Sequence, residues 1–214
     1  MKMNNVGRTL IIALVLLGTL LWTSSPALAD GATYTETDVA SGSLGGASFS
    51  DALVTITLLG DTSTLTTGIF GALEVFGPAT VTVDGIGTAS FTDSLAVFST
   101  YGAAGITDSA GITDTSLGIG LDVLDTMDPT FGTYDLTTGI GPISNTSAFN
   151  PPDPNNGFNG FATTDGSFVL TSESGASTFS ATTAVPEPSS LFLLGTGLSG
   201  LFLASRKKAP SATA

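Results

Sequence analysis

The sequence predicts an all-β protein: a single β-sandwich-like domain of short antiparallel strands over residues 30–184, flanked by a cleaved signal peptide and one C-terminal transmembrane helix. Three observations predict it. Apolar and hydroxylated residues alternate, most clearly where Val54, Ile56 and Leu58 interleave with Thr55, Thr57 and Leu59, the pattern of a strand with one face buried and one in water. Thr, Ser, Val and Phe fill the segments between frequent Gly and Asp, which favour strands broken by turns. No window in this region longer than about ten residues shows the 3.6-residue periodicity of an amphipathic helix.

Taken in order, the chain starts with a segment meant for export. Lys2 and Arg8 precede an apolar run from Leu10 to Trp22, and Ala27-Leu28-Ala29 supplies small residues around a cleavage point before Asp30. A signal peptidase acting on a protein in transit through the Sec machinery is expected to cut after Ala29. Tyr34 to Ser41 reads as the first strand, turning through Gly45-Gly46 into a second from Ala47 to Leu59, which Gly60-Asp61 ends. Phe70 to Phe76 and Ala79 to Val83 follow, separated by Gly77-Pro78. Asp84-Gly85 is a hairpin signal leading into a strand from Thr88 to Phe98. Ala89 to Leu95 echoes Ala47 to Leu53, as expected of two equivalent strand edges or of chance in a low-complexity alphabet.

Further along, Gly105-Ile106-Thr107-Asp108 recurs as Gly111-Ile112-Thr113-Asp114. Leu117 to Leu124 is another expected strand. Asp128-Pro129 begins a helical turn, with Asp as N-cap and Pro at the first helical position. Asn150 to Gly160, rich in Asn, Pro and Gly, reads as an exposed loop. Gly166 to Thr171 and Ser177 to Thr183 are expected to close the sheet as a final hairpin pair, with Thr182 to Val185 as the linker beyond it.

The C-terminal segment has three parts. Val185-Pro186-Glu187-Pro188 comes first. An uncharged run follows, in which Leu191 to Ala204 is apolar and punctuated by Gly195, Gly197 and Gly200, and Arg206-Lys207-Lys208 ends it before a short tail, residues 209–214. At about 1.5 Å per residue a helix from Ser189 to Ser205 spans roughly 25 Å, close to the hydrocarbon thickness of a bilayer. The terminal cations are expected to remain on the cytoplasmic side of the inner membrane and to leave the preceding residues outside.

This arrangement resembles the PEP-CTERM sorting signal. The resemblance covers about residues 185–208 and leaves the family of the body unknown. It implies a protein exported by a Gram-negative bacterium and sorted by exosortase, a membrane-embedded enzyme that recognises the Pro-Glu-Pro segment. Such a protein passes through the inner membrane transiently on its way to the cell envelope or extracellular matrix.

Charge and missing residue types narrow the chemistry of the body. All five basic residues lie in the two targeting segments, and all but Glu187 of the 18 acidic residues lie between Asp30 and Ala184. A body with carboxylates and no cations repels phosphate backbones, so nucleic acid is excluded as a partner. The chain has no Cys and no His, and the body no Lys or Arg, which removes thiol and imidazole nucleophiles, catalytic triads, Schiff bases and arginine clamps. A pair of carboxylates still permits glycoside hydrolysis. Against that, the body has no Trp and only Tyr34, Tyr101 and Tyr134 to line a sugar cleft.

Three constellations remain. Asp122, Asp125 and Asp128 recur every third residue; on one loop they would offer Ca²⁺ an oxygen site, although the spacing is not that of an EF-hand. Asp108 and Asp114 occupy equal offsets in the short repeat and would ladder around a cation if each copy formed one coil. Thr55-Ile56-Thr57 and Thr80-Val81-Thr82 form Thr-x-Thr pairs that resemble the ice-contacting arrays of some β-rich antifreeze proteins. Threonine is also what any exposed strand prefers, and only a regular ladder of pairs separates the two readings.

The expectation from the sequence is a non-enzymatic surface or matrix protein with a structural role linked to exopolysaccharide or biofilm and with no cofactor. The alternatives are a Ca²⁺-dependent carbohydrate-binding or adhesive module and a carboxylate-based glycoside hydrolase.

Overall fold

The computed structural model describes residues 31–68, 71–101, 107–116, 120–153, 155 and 158–183. The signal peptide with Ala27 and Ala29, the motif Val185 to Pro188, the apolar run and the cations Arg206, Lys207 and Lys208 all lie outside them. Among the described residues no helix is long and apolar enough to cross a membrane.

The described residues are all-β, as expected, but the sheet is one continuous curled surface. Its strands are β1 (Gly31–Leu44), β2 (Ala47–Asp61), β3 (Thr66–Thr67), β4 (Leu73–Phe76), β5 (Ala79–Val83), β6 (Gly87–Ser90), β7 (Leu95–Ser99), β8 (Ser109–Asp114), β9 (Leu121–Met127), β10 (Ile140–Ala148), β11 (Phe161–Thr163), β12 (Gly166–Glu173) and β13 (Ser177–Thr183). Every pairing is antiparallel, in the order β3-β4-β7-β8-β9-β10-β13-β1-β2-β5-β6, with β12 and then β11 added beside β1. The sheet folds back so that β2 meets β4 and β7, and β9 meets β1 and β13. The core lies between these layers.

β1 and β2 organise the molecule and are not short: they run 14 and 15 residues and pair along nearly their whole length. The Gly45-Gly46 turn joins them, both residues at positive φ (59° and 85°), which glycine alone adopts at no steric cost. The expected stop at Gly60-Asp61 lies inside β2, because Gly60 packs against Tyr34 and Val75 where a Cβ would not fit. On its other edge β1 pairs with β13 over Ala32–Thr37 and with β12 over Ala40–Leu44. The changeover falls between Thr37 and Ala40, and the β1–β12 register then shifts at Gly42, where an added Cβ would sit 1.9 Å from the Val169 carbonyl oxygen. β12 and β13 therefore lie end to end along β1, and the final hairpin expected from the sequence does not form.

β10 is the corner that joins the layers. Its first part pairs with β13, its last three residues pair with β9, and the shift between Ile140 and Ile143 takes in Pro142, which has no N–H to give a ladder. The strand expected from Thr88 to Phe98 is two strands. β6 ends at Ser90 on β5, and β7 begins at Leu95 in the other layer, paired with β4 and β8. Phe91 to Ser94 cross between them, so Ala89 to Leu95 is not equivalent to Ala47 to Leu53, which stays within β2. The segment expected to be an exposed loop carries Phe158 into the core, where its ring meets Phe161 at 4.7 Å.

Candidate functional site

The alternation of β1 sets two different surfaces. Ala32, Tyr34, Glu36, Asp38 and Ala40 point inward and are buried. Thr33, Thr35 and Thr37 point outward and are half-exposed. The inward row starts apolar and then becomes acidic in the middle of the molecule.

At the apolar end, Tyr34, Phe131, Tyr134 and Phe179 form an aromatic cluster. Phe179 meets Phe131 at 5.4 Å and Tyr134 at 6.0 Å in edge-to-face contacts. The Tyr34 hydroxyl donates to the Leu136 carbonyl at 2.5 Å. Leu136 is held at φ 63°, a left-handed conformation uncommon for a branched residue, and is itself fully buried. The polar tip of Tyr34 is thus satisfied.

Two residues along β1 the situation reverses. Glu36 is fully buried; Thr126 on β9 donates its hydroxyl to Glu36 Oε1 at 2.5 Å and lies 2.6 Å from the hydroxyl of Ser177 on β13. The Ser177 hydroxyl is also 2.8 Å from the Asp125 carbonyl oxygen. Asp38 Oδ1 accepts from the Ser174 hydroxyl at 2.6 Å. Glu173 on β12 stands opposite Ala40. Glu36 Oε2, Asp38 Oδ2 and Asp125 Oδ1 are buried and meet no donor.

Asp122 and Asp125 belong to the same acidic region. In a regular strand a spacing of three puts two side chains on opposite faces. Here the β8–β9 register shifts, pairing Ile112 with Leu124 but Thr113 with Asp122, so β9 carries one extra residue and Asp122 and Asp125 come to the same side. Gly111 lies across from Asp125 and leaves the room: a Cβ there would fall 2.5 Å from the Asp125 Cβ. Asp128 is elsewhere in function. It caps the 3₁₀ turn Pro129–Thr133, accepting from the Thr130 hydroxyl at 2.6 Å, from Asn145 Nδ2 at 2.9 Å and from the Thr130 N–H at 2.9 Å, and these bonds hold its carboxyl below the usual range.

The structure therefore joins two of the three aspartates of the sequence triplet and leaves the third as an N-cap, the role its Asp-Pro context also predicts. Asp108 and Asp114 do not ladder. Asp114 ends β8, buried and accepting from the Ser116 N–H at 2.7 Å, and Asp108 precedes the strand's other end. Their separation of six positions along an extended strand puts the two roughly 20 Å apart.

With no Lys, Arg or His between Asp30 and Ala184, nothing in the body can pair these acids. Burial accordingly pushes Glu36 well above the usual carboxylate range. The charges of Asp125 and Asp38 add to that, while the Thr126 and Ser177 hydroxyls oppose it. Burial pushes Asp125 up to about 7, reinforced by Asp122 and restrained by the Ala148 N–H and the Ser109 hydroxyl. Burial raises Asp122 to about 6, against the Thr113 hydroxyl, and also raises Glu173, beside Asp38. Among the described residues no three acidic side chains stand close enough to hold a metal ion between them. Protonation is one way for this arrangement to shed its charge.

Glu36, Asp38 and Glu173 did not emerge from motif spacing. The signal that finds the first two is parity: both are in phase with Tyr34 on a strand whose alternate residues are threonine. Glu173 has no such signal, because its position depends on β12 docking beside β1.

Comparison with known proteins bears on the C-terminal segment alone. A family described as the PEP-CTERM protein-sorting motif matches residues 184–208. No curated protein and no solved structure matches the chain.

Proposed function

We propose, from the premise that this chain carries a PEP-CTERM sorting motif and is an exported protein handled by exosortase, that its body is a non-catalytic structural component of the cell surface or extracellular matrix, working beside exopolysaccharide. The observation that carries the reading is the motif itself, joined to a body with no Cys, His, Lys or Arg. Such a body lacks thiol, imidazole and amine groups for catalysis, and its net negative charge favours solubility and keeps it apart from anionic surfaces.

Two manipulations test it. Replacing Pro186, Glu187 and Pro188 with Ala should leave the protein in the inner membrane, detected by cell fractionation. Deleting the gene should reduce flocculation or matrix cohesion, and an unchanged matrix would count against the structural role while leaving the sorting assignment intact.

A second reading is favoured by the unsatisfied buried oxygens of Glu36, Asp38 and Asp125: a Ca²⁺-dependent carbohydrate-binding or adhesive module in which the acidic region rearranges around the ion. A ligand that binds only the native state raises the melting temperature by mass action. Melts of the purified protein in chelator and in millimolar calcium decide it, a large upward shift favouring this reading and no shift the structural one.

A further inference from the structure

The outer face of the sheet is a two-dimensional array of hydroxyl-bearing side chains in strict register. One row runs across β10, β13, β1, β2, β5 and β6 as Ser144, Thr178, Thr37, Thr55, Thr82 and Thr88, each directly opposite the next. Two residues further along, a second row crosses β13, β1, β2, β5 and β6 as Ser180, Thr35, Thr57, Thr80 and Ser90. The Thr-x-Thr pairs of β2 and β5 thus lie side by side, Thr55 opposite Thr82 and Thr57 opposite Thr80, and β1 adds a third pair in line.

We infer that this face binds a crystalline water lattice, the surface of an ice crystal. Four features point there. First, the array repeats in both directions, about 4.8 Å between strands and roughly 6.7 Å between alternate residues of a strand. A ligand matched to it must also be a lattice on that scale, as the oxygen rows of ice are.

Second, neither row contains a charged residue, although the body around it carries many carboxylates. The face therefore selects an uncharged partner. Third, among the described residues the hydroxyls of Thr35, Thr37, Thr55, Thr57 and Thr80 have no hydrogen-bond partner, whereas at the margins Thr82 pairs with Thr88 at 2.8 Å and Ser144 with Thr178 at 2.6 Å. The central hydroxyls are left to an external lattice. Threonine is also stiff about χ1, so methyl and hydroxyl are held in fixed alternation with little entropy to lose.

Fourth, the rows contain no aromatic ring on which a sugar could stack and no amide or carboxylate to grip its hydroxyls. This disfavours a polysaccharide as the ligand. Strand twist rotates each strand against the next, so the best-matched patch is the centre, on β1, β2 and β5.

The test uses the full chain in mild detergent, with detergent alone as the blank. During slow freezing, the wild-type protein should be enriched in the growing ice and should inhibit recrystallisation. Thr57→Lys, which raises a long charged side chain from the middle of the array, should lower that enrichment at least tenfold. Asp165→Lys, in the exposed β11–β12 turn, adds the same cation off the face and should leave it unchanged. Thr55→Ser and Thr55→Val separate the methyl from the hydroxyl, and both should weaken ice retention if the two act together. Unaltered melting temperatures establish that each variant is folded.

Exclusion of the wild type from ice, or equal enrichment of Thr57→Lys, would overturn the inference. So would retention on a neutral polysaccharide gel that Thr57→Lys abolishes without any effect on ice, which would assign the face to matrix polymer. None of these results bears on sorting by exosortase.

Discussion

The aromatic end and the acidic end of the interior are two residues apart on β1 and obey opposite physics. At Tyr34 a large side chain brings mostly apolar surface inward and its single polar atom finds the Leu136 carbonyl. At Glu36 the same strand brings inward a carboxyl whose ionised form burial disfavours, and the body has no cation to offset it. The first region stabilises the fold at any pH; the second does so only while it holds protons. Burial depth is alike at both ends, so depth alone does not describe a core. What decides its contribution is whether each buried polar atom has a partner.

The sharpest way to break the aromatic end is Phe179→Ala, which opens a cavity against Phe131 and Tyr134 and should cost about 3 to 5 kcal/mol in urea denaturation, equally at pH 5 and pH 7.

The acidic end should respond to pH instead. A carboxyl raised in the folded state contributes stability that is fully present below its unfolded value, near 4, and lost as pH rises through its folded value. That window closes at about 6 for Asp122 and about 7 for Asp125. The protein should accordingly lose on the order of 3 kcal/mol between pH 4 and pH 8, read from melts across that range. A curve flat over the window, or rising, would show that the acids are hydrated or already neutralised.

Glu36→Gln keeps the shape of the side chain and removes its ionisation. It should raise the melting temperature at pH 8 by a few degrees and leave that at pH 4.5 nearly unchanged, flattening the difference between the two regions. The smallest effect is expected from Tyr34→Phe, which deletes the hydroxyl bonded to Leu136. About 1 kcal/mol should be lost at every pH, and a pH-dependent loss would couple the two ends after all.

Much of this architecture is legible in the residues. Val54, Ile56 and Leu58 announce the buried face of β2, Asp84-Gly85 announces the β5–β6 turn, and Asp128-Pro129 announces the capped 3₁₀ turn, because each depends on neighbours a few residues away. The errors share a cause at longer range. β6 and β7 read as one strand because nothing local distinguishes a continued strand from one that crosses to the other layer at Phe91 to Ser94. β12 and β13 read as a hairpin because adjacency in sequence is the usual guide to pairing, and here β1 is long enough to take both. For Asp122, Asp125 and Asp128 the three-residue spacing left open whether they would share one loop, and the unit actually formed depends on an extra residue in β9 opposite β8.

By itself the sequence determined the β class, the sorting motif at the C-terminus and the absence of any cation that could neutralise a buried acid in the body. These follow from composition, two-residue alternation and short motifs, which need no knowledge of what lies across the molecule. Tertiary structure alone decided that Glu36 and Asp38 share the interior with Asp125 and Glu173, and that threonines from distant strands align into rows. Strand order and register are set by how the whole sheet closes on itself, and a shift of one residue would exchange the acidic face of β1 for its threonine face.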